Sequence, residues 1–152
     1  MLKKIVIFSL LLILSACSKH QPEITAIEFV EKMQLGKNLV SLSFRVSKNT
    51  QTFRMLVKEL GHEEASSRLE DELVKITKDH QREWNENLAN SYLEHFSVAE
   101  LNSIYYEKRN SQFADKMSEM QKKVGRSMEI KSKDLLNAVA TNALSSVFES
   151  VQ

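Results

Sequence analysis

One cysteine, one proline and three glycines are spread over 152 residues, and each shortage excludes something. An all-β sandwich or barrel needs a Gly- or Pro-rich turn roughly every 8–12 residues, which this chain cannot supply. A lone thiol rules out an intrachain disulfide and any site built from several thiolates of one chain. Gly36, Gly61 and Gly125 lie far apart, so no glycine-rich loop exists to cradle a phosphate. Excess charge of one sign is also missing. With 21 basic and 20 acidic side chains the formal charge is +1, and no nucleic-acid partner is expected. The length suits one domain.

What is present begins at the N-terminus. Lys3 and Lys4 precede an apolar run from Ile5 to Leu14, interrupted only by Ser9. A permanent bilayer span needs roughly 17–25 apolar residues, so this run is too short and fits the h-region of a secretory signal. It closes on Leu14-Ser15-Ala16-Cys17. That tetrapeptide resembles the lipobox of bacterial lipoproteins, in which a leucine and two small residues precede a lipid-modified cysteine. The resemblance implies a diacylglyceryl group on the Cys17 thiol, signal cleavage between Ala16 and Cys17, and acylation of the new amine. The chemistry agrees. Small side chains let an extended backbone enter a peptidase cleft, and two or three acyl chains, at about 0.8 kcal/mol per buried methylene, anchor stably where one does not. Cleavage removes Lys3, Lys4 and no acid, leaving 19 basic against 20 acidic groups and a net charge of −1. Ser18 follows the cysteine where an aspartate would be retained at the inner membrane in enteric lipoproteins, so an outer-membrane anchor facing the periplasm is expected. The division that follows is a signal peptide over 1–16, a lipidated tether over 17–22 and a helical domain over 23–152.

The helical domain reads as all-α, a bundle of five to six helices. Pro22 suits the first turn of a helix that buries Ile24, Ile27, Phe29, Val30 and Met33, with Gly36 as its C-cap. Over 40–47, Val40, Leu42, Phe44 and Val46 alternate with polar residues as a strand would. Leu39, Leu42, Val46, Phe53, Leu56 and Leu60 also share one helical face. Helix is expected, because no second alternating segment exists to pair with a lone strand. From Glu63 to Phe96 the stripe Leu69, Leu73, Ile76, His80, Trp84, Leu88, Tyr92 steps by three or four residues. Ser97-Val98-Ala99-Glu100, flanked by Phe96 and Leu101, is a capping box with a hydrophobic staple, so a helix starts at Val98. A break is expected at Asn110 or Ser111. Next comes a helix burying Phe113, Met117, Met120, Val124 and Met128, then a polar bend over 127–134, then an apolar C-terminal helix over 135–151. That last segment suits central packing or self-association into a homo-oligomer.

No catalytic, cofactor-binding or metal-binding residue is assigned. His62-Glu63-Glu64-Ala65-Ser66 begins like a zinc-protease helix but has Ser66 where the second histidine must stand. His80 and Glu83 share a helix face, yet His80 also sits on the apolar stripe beside Trp84, where a packed imidazole is the simpler role. Met117, Met120 and Met128 fit either an adaptable binding surface or plain core. Tyr105 and Tyr106 fit either a pocket wall or core packing.

Phe96-Ser97-x-x-Glu100-Leu101, the pair Tyr105-Tyr106 and Phe113-Ala114-Asp115-Lys116-Met117 resemble a family of small helical bacterial envelope proteins of unknown function, as does Phe29-Val30-Glu31-Lys32-Met33-Gln34-Leu35-Gly36. The family's Ser-Pro-x-Gly turn is replaced here by Glu107-Lys108-Arg109-Asn110-Ser111. The resemblance implies a helical fold and supplies no activity or catalytic residue to carry over, which leaves an anchor joined to a domain without a recognisable site. The expected function is therefore a non-enzymatic, lipid-anchored interaction or assembly module with a protein partner in the envelope. The alternative is an inhibitor or immunity protein against a periplasmic enzyme such as a cell-wall hydrolase.

Overall fold

Two long helices form the frame. The computed structural model describes residues 21–152; the signal run and the lipobox Leu14-Ser15-Ala16-Cys17 lie outside the described residues. Six α-helices and no strand occur among the described residues, in the order α1 (Ala26–Lys32), α2 (Leu39–Lys48), α3 (Gln51–Leu60), α4 (His62–Leu93), α5 (Val98–Glu107) and α6 (Ala114–Glu149). A short 3-10 turn at Lys108–Asn110 follows α5. With 32 and 36 residues, α4 and α6 are the longest elements, about 48 and 54 Å at 1.5 Å per residue. They run antiparallel, since Asn87 bonds Ser132 and Ser146 bonds Glu72.

Residues 39–47 are helical, and the reason is visible in their burial. On α2 the fully buried positions are Leu39, Ser43 and Ser47. These step by four, so small serines face the core while Val40 and Phe44 flank them on one side and Leu42 on the other. Alternating apolar residues thus serve a helix wedged against both α4 and α6. The expected common face with the following segment is divided, because α2 stops at Asn49 and a new helix begins. The Thr50 hydroxyl accepts from the Phe53 N–H at 3.1 Å and donates to the Ser47 carbonyl at 2.7 Å, capping α3 and closing α2 together. Gly61, at φ 83°, is the single residue between α3 and α4.

Three expectations are corrected. Pro22 does not open the first helix. Thr25 caps it, in a capping box with Glu28, and Ile24 and Phe29 form its buried staple. Gly36 is not its C-cap, since the left-handed turn falls on Gln34 at φ 57°. Gly36 is needed for a different reason: an added Cβ would lie 2.0 Å from Asn85 Oδ1. Residues 127–134 do not bend, because α6 is continuous and Met128, Ser132 and Leu135 carry its buried stripe through the polar stretch. Ser132 is tolerated there because its hydroxyl accepts from Asn87 Nδ2 at 3.2 Å and donates to Met128 Sδ at 3.4 Å.

Other expectations hold. Ser97 and Glu100 form the capping box, with Glu100 N–H to Ser97 Oγ at 3.2 Å and Ser97 N–H to Glu100 Oε2 at 2.8 Å. The apolar face of 135–151 packs centrally, burying Leu135, Val139, Ala140, Ala143, Leu144 and Val147.

The core is divided. One cluster joins α2, α3 and facing lengths of α4 and α6 through residues such as Leu39, Phe53, Leu56, Leu69, Leu73, Val139 and Leu144. The other joins α1, α5, the C-terminal end of α4 and Val124 of α6 through Phe29, Val30, Tyr92, Phe96, Leu101 and Ile104. Leu88 touches both.

Candidate functional site

At the junction of the two clusters, three helical stripes fail to close. Leu35 and Asn38 precede α2, and Leu42 and Arg45 lie on it, at steps of three and four. Trp84, Leu88 and Tyr92 step by four along α4. Gln121, Val124, Gly125, Met128, Glu129 and Leu136 follow one side of α6. Together they line an open cleft of about 570 Å³, inside the 300–1,000 Å³ span usual for small-molecule sites. Its walls are the apolar side chains. Arg45, Gln121 and Glu129, all exposed, stand at its rim.

The wall on α4 is held rigidly. Trp84 is 2% exposed and its indole N–H donates to Asn38 Oδ1 at 3.2 Å. Tyr92 packs edge-on against Phe29 at 5.7 Å, and burial raises its hydroxyl pKa above the ordinary tyrosine value. Gln81 Nε2 donates both to the Gly36 carbonyl and to Asn85 Oδ1, each at 2.9 Å, which fixes the loop after α1 on the back of the same helix.

A second surface lies further round α6. Lys122, Lys123, Arg126, Lys131 and His95 surround Ile130, which is 73% exposed. Glu94 is the carboxylate among them. Its hydrogen bond from Ser127, and next that from Lys131, hold its pKa below the ordinary glutamate value.

The residues singled out in the sequence are dispersed. His62 sits at the start of α4, edge-on to Phe53 at 6.3 Å. His80 is half-buried and Glu83 is exposed, both on α4, while His95 belongs to the cationic surface. Among the described residues no three His, Cys, Asp or Glu side chains come together as a metal site. Met117 and Met120 pack partly buried against the α1–α5 cluster, whereas Met128 is buried and also lines the cleft. Tyr105 and Tyr106 pack edge-to-face at 4.8 Å, and Tyr106 donates its hydroxyl to the Pro22 carbonyl at 2.5 Å. Cys17, Ala16 and the rest of the lipobox lie outside the described residues.

Arg45, Gly125 and Glu129 were not legible as a site. One signal was available: Gly125 interrupts a helical pattern without ending it, which marks a packing or functional role. No family model, curated protein or solved structure matches the chain. Among the described residues no helix is long and apolar enough to cross a membrane.

Proposed function

We propose that the protein is a lipid-anchored component of the bacterial cell envelope, facing the periplasm from the outer membrane, and that its helical body is a non-enzymatic interaction module. The observation that carries this reading is the run Lys3 to Cys17, in which a short positive segment, an apolar run and Leu14-Ser15-Ala16-Cys17 stand in register with the chain's single cysteine. Two structural facts support it. Four peptide steps separate Cys17 from Gln21, about 14 Å at full extension, so a lipid on Cys17 would hold the bundle close to the bilayer. The cationic surface around Ile130 joins positive charge to an exposed apolar side chain, a combination suited to contact with a partner.

Metabolic labelling with palmitate tests the anchor. Label is expected in the wild-type chain and absent from Cys17→Ser; label that persists in the variant overturns the anchor. Cross-linking in intact cells from Ile130 positions tests the module. Envelope structural proteins are the expected products, and a single stoichiometric enzyme would replace this reading with the inhibitor alternative.

A further inference from the structure

Gly125 and Gly36 pose opposite cases. Gly36 is required by close approach, because a Cβ there would strike Asn85. Gly125 lies inside α6, where glycine weakens a helix relative to alanine, yet a Cβ added there meets no neighbouring group within 4 Å. No packing contact explains it. Gly125 does line the cleft, together with Trp84 and Met128, so a large side chain substituted there would be added to the cleft's lining.

The rim supplies a second, independent observation. Arg45 and Glu129 line the same cleft from α2 and α6, and neither is part of an ion pair among the described residues. An apolar trough edged by one unpaired cation and one unpaired anion is complementary to a molecule with a hydrocarbon body and both charges at its head. We propose that the cleft binds a single-chain zwitterionic amphiphile, its chain along Trp84 and Met128, its acidic group at Arg45 and its ammonium at Glu129. The proposal is independent of the lipid anchor.

Trp84 is the chain's only tryptophan and lies in the cleft wall, so it reports occupancy directly. The test uses the full chain carrying Cys17→Ser, which removes any covalent lipid that could fill the cleft in place of the probe. Lauroyl lysophosphatidylethanolamine with a brominated chain is titrated below its micelle concentration, with brominated laurate as the comparison. Saturable quenching of Trp84 by the zwitterion is expected. Gly125→Phe should abolish it, and Gly125→Ala should preserve it. Arg45→Gln and Glu129→Gln, both at exposed positions, should each weaken the zwitterion roughly tenfold, the loss of one charge-assisted contact. Laurate should lose affinity only with Arg45→Gln. Absence of saturable quenching, or quenching indifferent to Arg45→Gln and Glu129→Gln, overturns the proposal whatever the folding of Gly125→Phe. Equal affinity for laurate and the zwitterion overturns the assignment of Glu129.

Discussion

The two ends of the molecule are held together by different means. Around α2 and α3 the core is largely aliphatic, and Leu39, Leu56, Leu69, Leu73 and Val139 are wholly buried. Few hydrogen bonds cross between elements there. Around α1 and α5 the core is rich in aromatic rings, with Tyr92 packed against both Phe29 and Phe96, and polar groups stitch its surface. Asn102 accepts from the Ile24 N–H and donates to the Ile24 carbonyl, each at 2.8 Å. Two capping boxes set the helix starts, and Lys116 Nζ reaches Glu100 at 2.6 Å across to α6. Apolar packing resists change uniformly but tolerates no voids, whereas directional bonds fail one at a time.

Truncation should expose that contrast most strongly. Leu73→Ala empties a fully buried site in the aliphatic half and is expected to cost about 2–5 kcal/mol in chemical denaturation. Loss should be global, with hydrogen exchange accelerated throughout α4 and α6. A penalty under about 1 kcal/mol would mean that this half can collapse around a void.

Asn102→Ala acts on the stitched half. It strands both backbone groups of Ile24, at about 1–3 kcal/mol. Exchange should quicken at Ile24 and along α1 while α2 and α3 stay protected. Equal acceleration at both ends would erase the distinction.

A smaller effect of opposite sign is expected at Ser43, whose hydroxyl is fully buried without a hydrogen-bond partner among the described residues. Ser43→Ala removes an unsatisfied polar group and should raise stability by about 1 kcal/mol, read as a higher denaturation midpoint at unchanged slope. Ser43→Leu should reverse the sign by overpacking the approach of α2 to its neighbours.

Acid should separate the halves least, but in a defined direction. Hydrogen bonding to Thr25 lowers the pKa of Glu28, bonding to Ser127 then Lys131 lowers that of Glu94, and bonding to Lys116 then Ser97 lowers that of Glu100. In the aliphatic half Glu72 is lowered by Lys75 then Ser146. A depressed folded pKa contributes stability above the unfolded value, and that contribution is lost as pH falls through the folded one. Acidification below the ordinary glutamate range should therefore loosen α1 and α5 before α2 and α3, visible in residue-resolved amide exchange. Simultaneous loosening would contradict it.

Much of this architecture was legible in the residues, and the failures have physical causes. The Ser97 box was readable because its signature is local and complete. Thr25-Ala26-Ile27-Glu28 carries the same signature, but Pro22 competed with it as a helix start. Thr50 was equally visible as a cap, yet a shared apolar face across 39–60 masked the break. The polar stretch 127–134 looked like a bend because Ser132 occupies a core position, and its partner Asn87 is distant in sequence. The cleft could not be read at all. It arises where stripes from α2, α4 and α6 diverge, and each stripe alone has the spacing of ordinary core.

The bonds of Asn102 and Tyr106 to residues 22–24 also have a mechanical meaning. Any tension applied through the segment before Gln21 reaches α5 first, across Tyr106–Pro22 and then both Ile24 bonds, with the buried Ile24 side chain as a plug. The cleft and α2 lie behind that clasp. A pull on the N-terminal leash would thus be arrested at α5, leaving the remote half of the bundle unstrained until the clasp gives way.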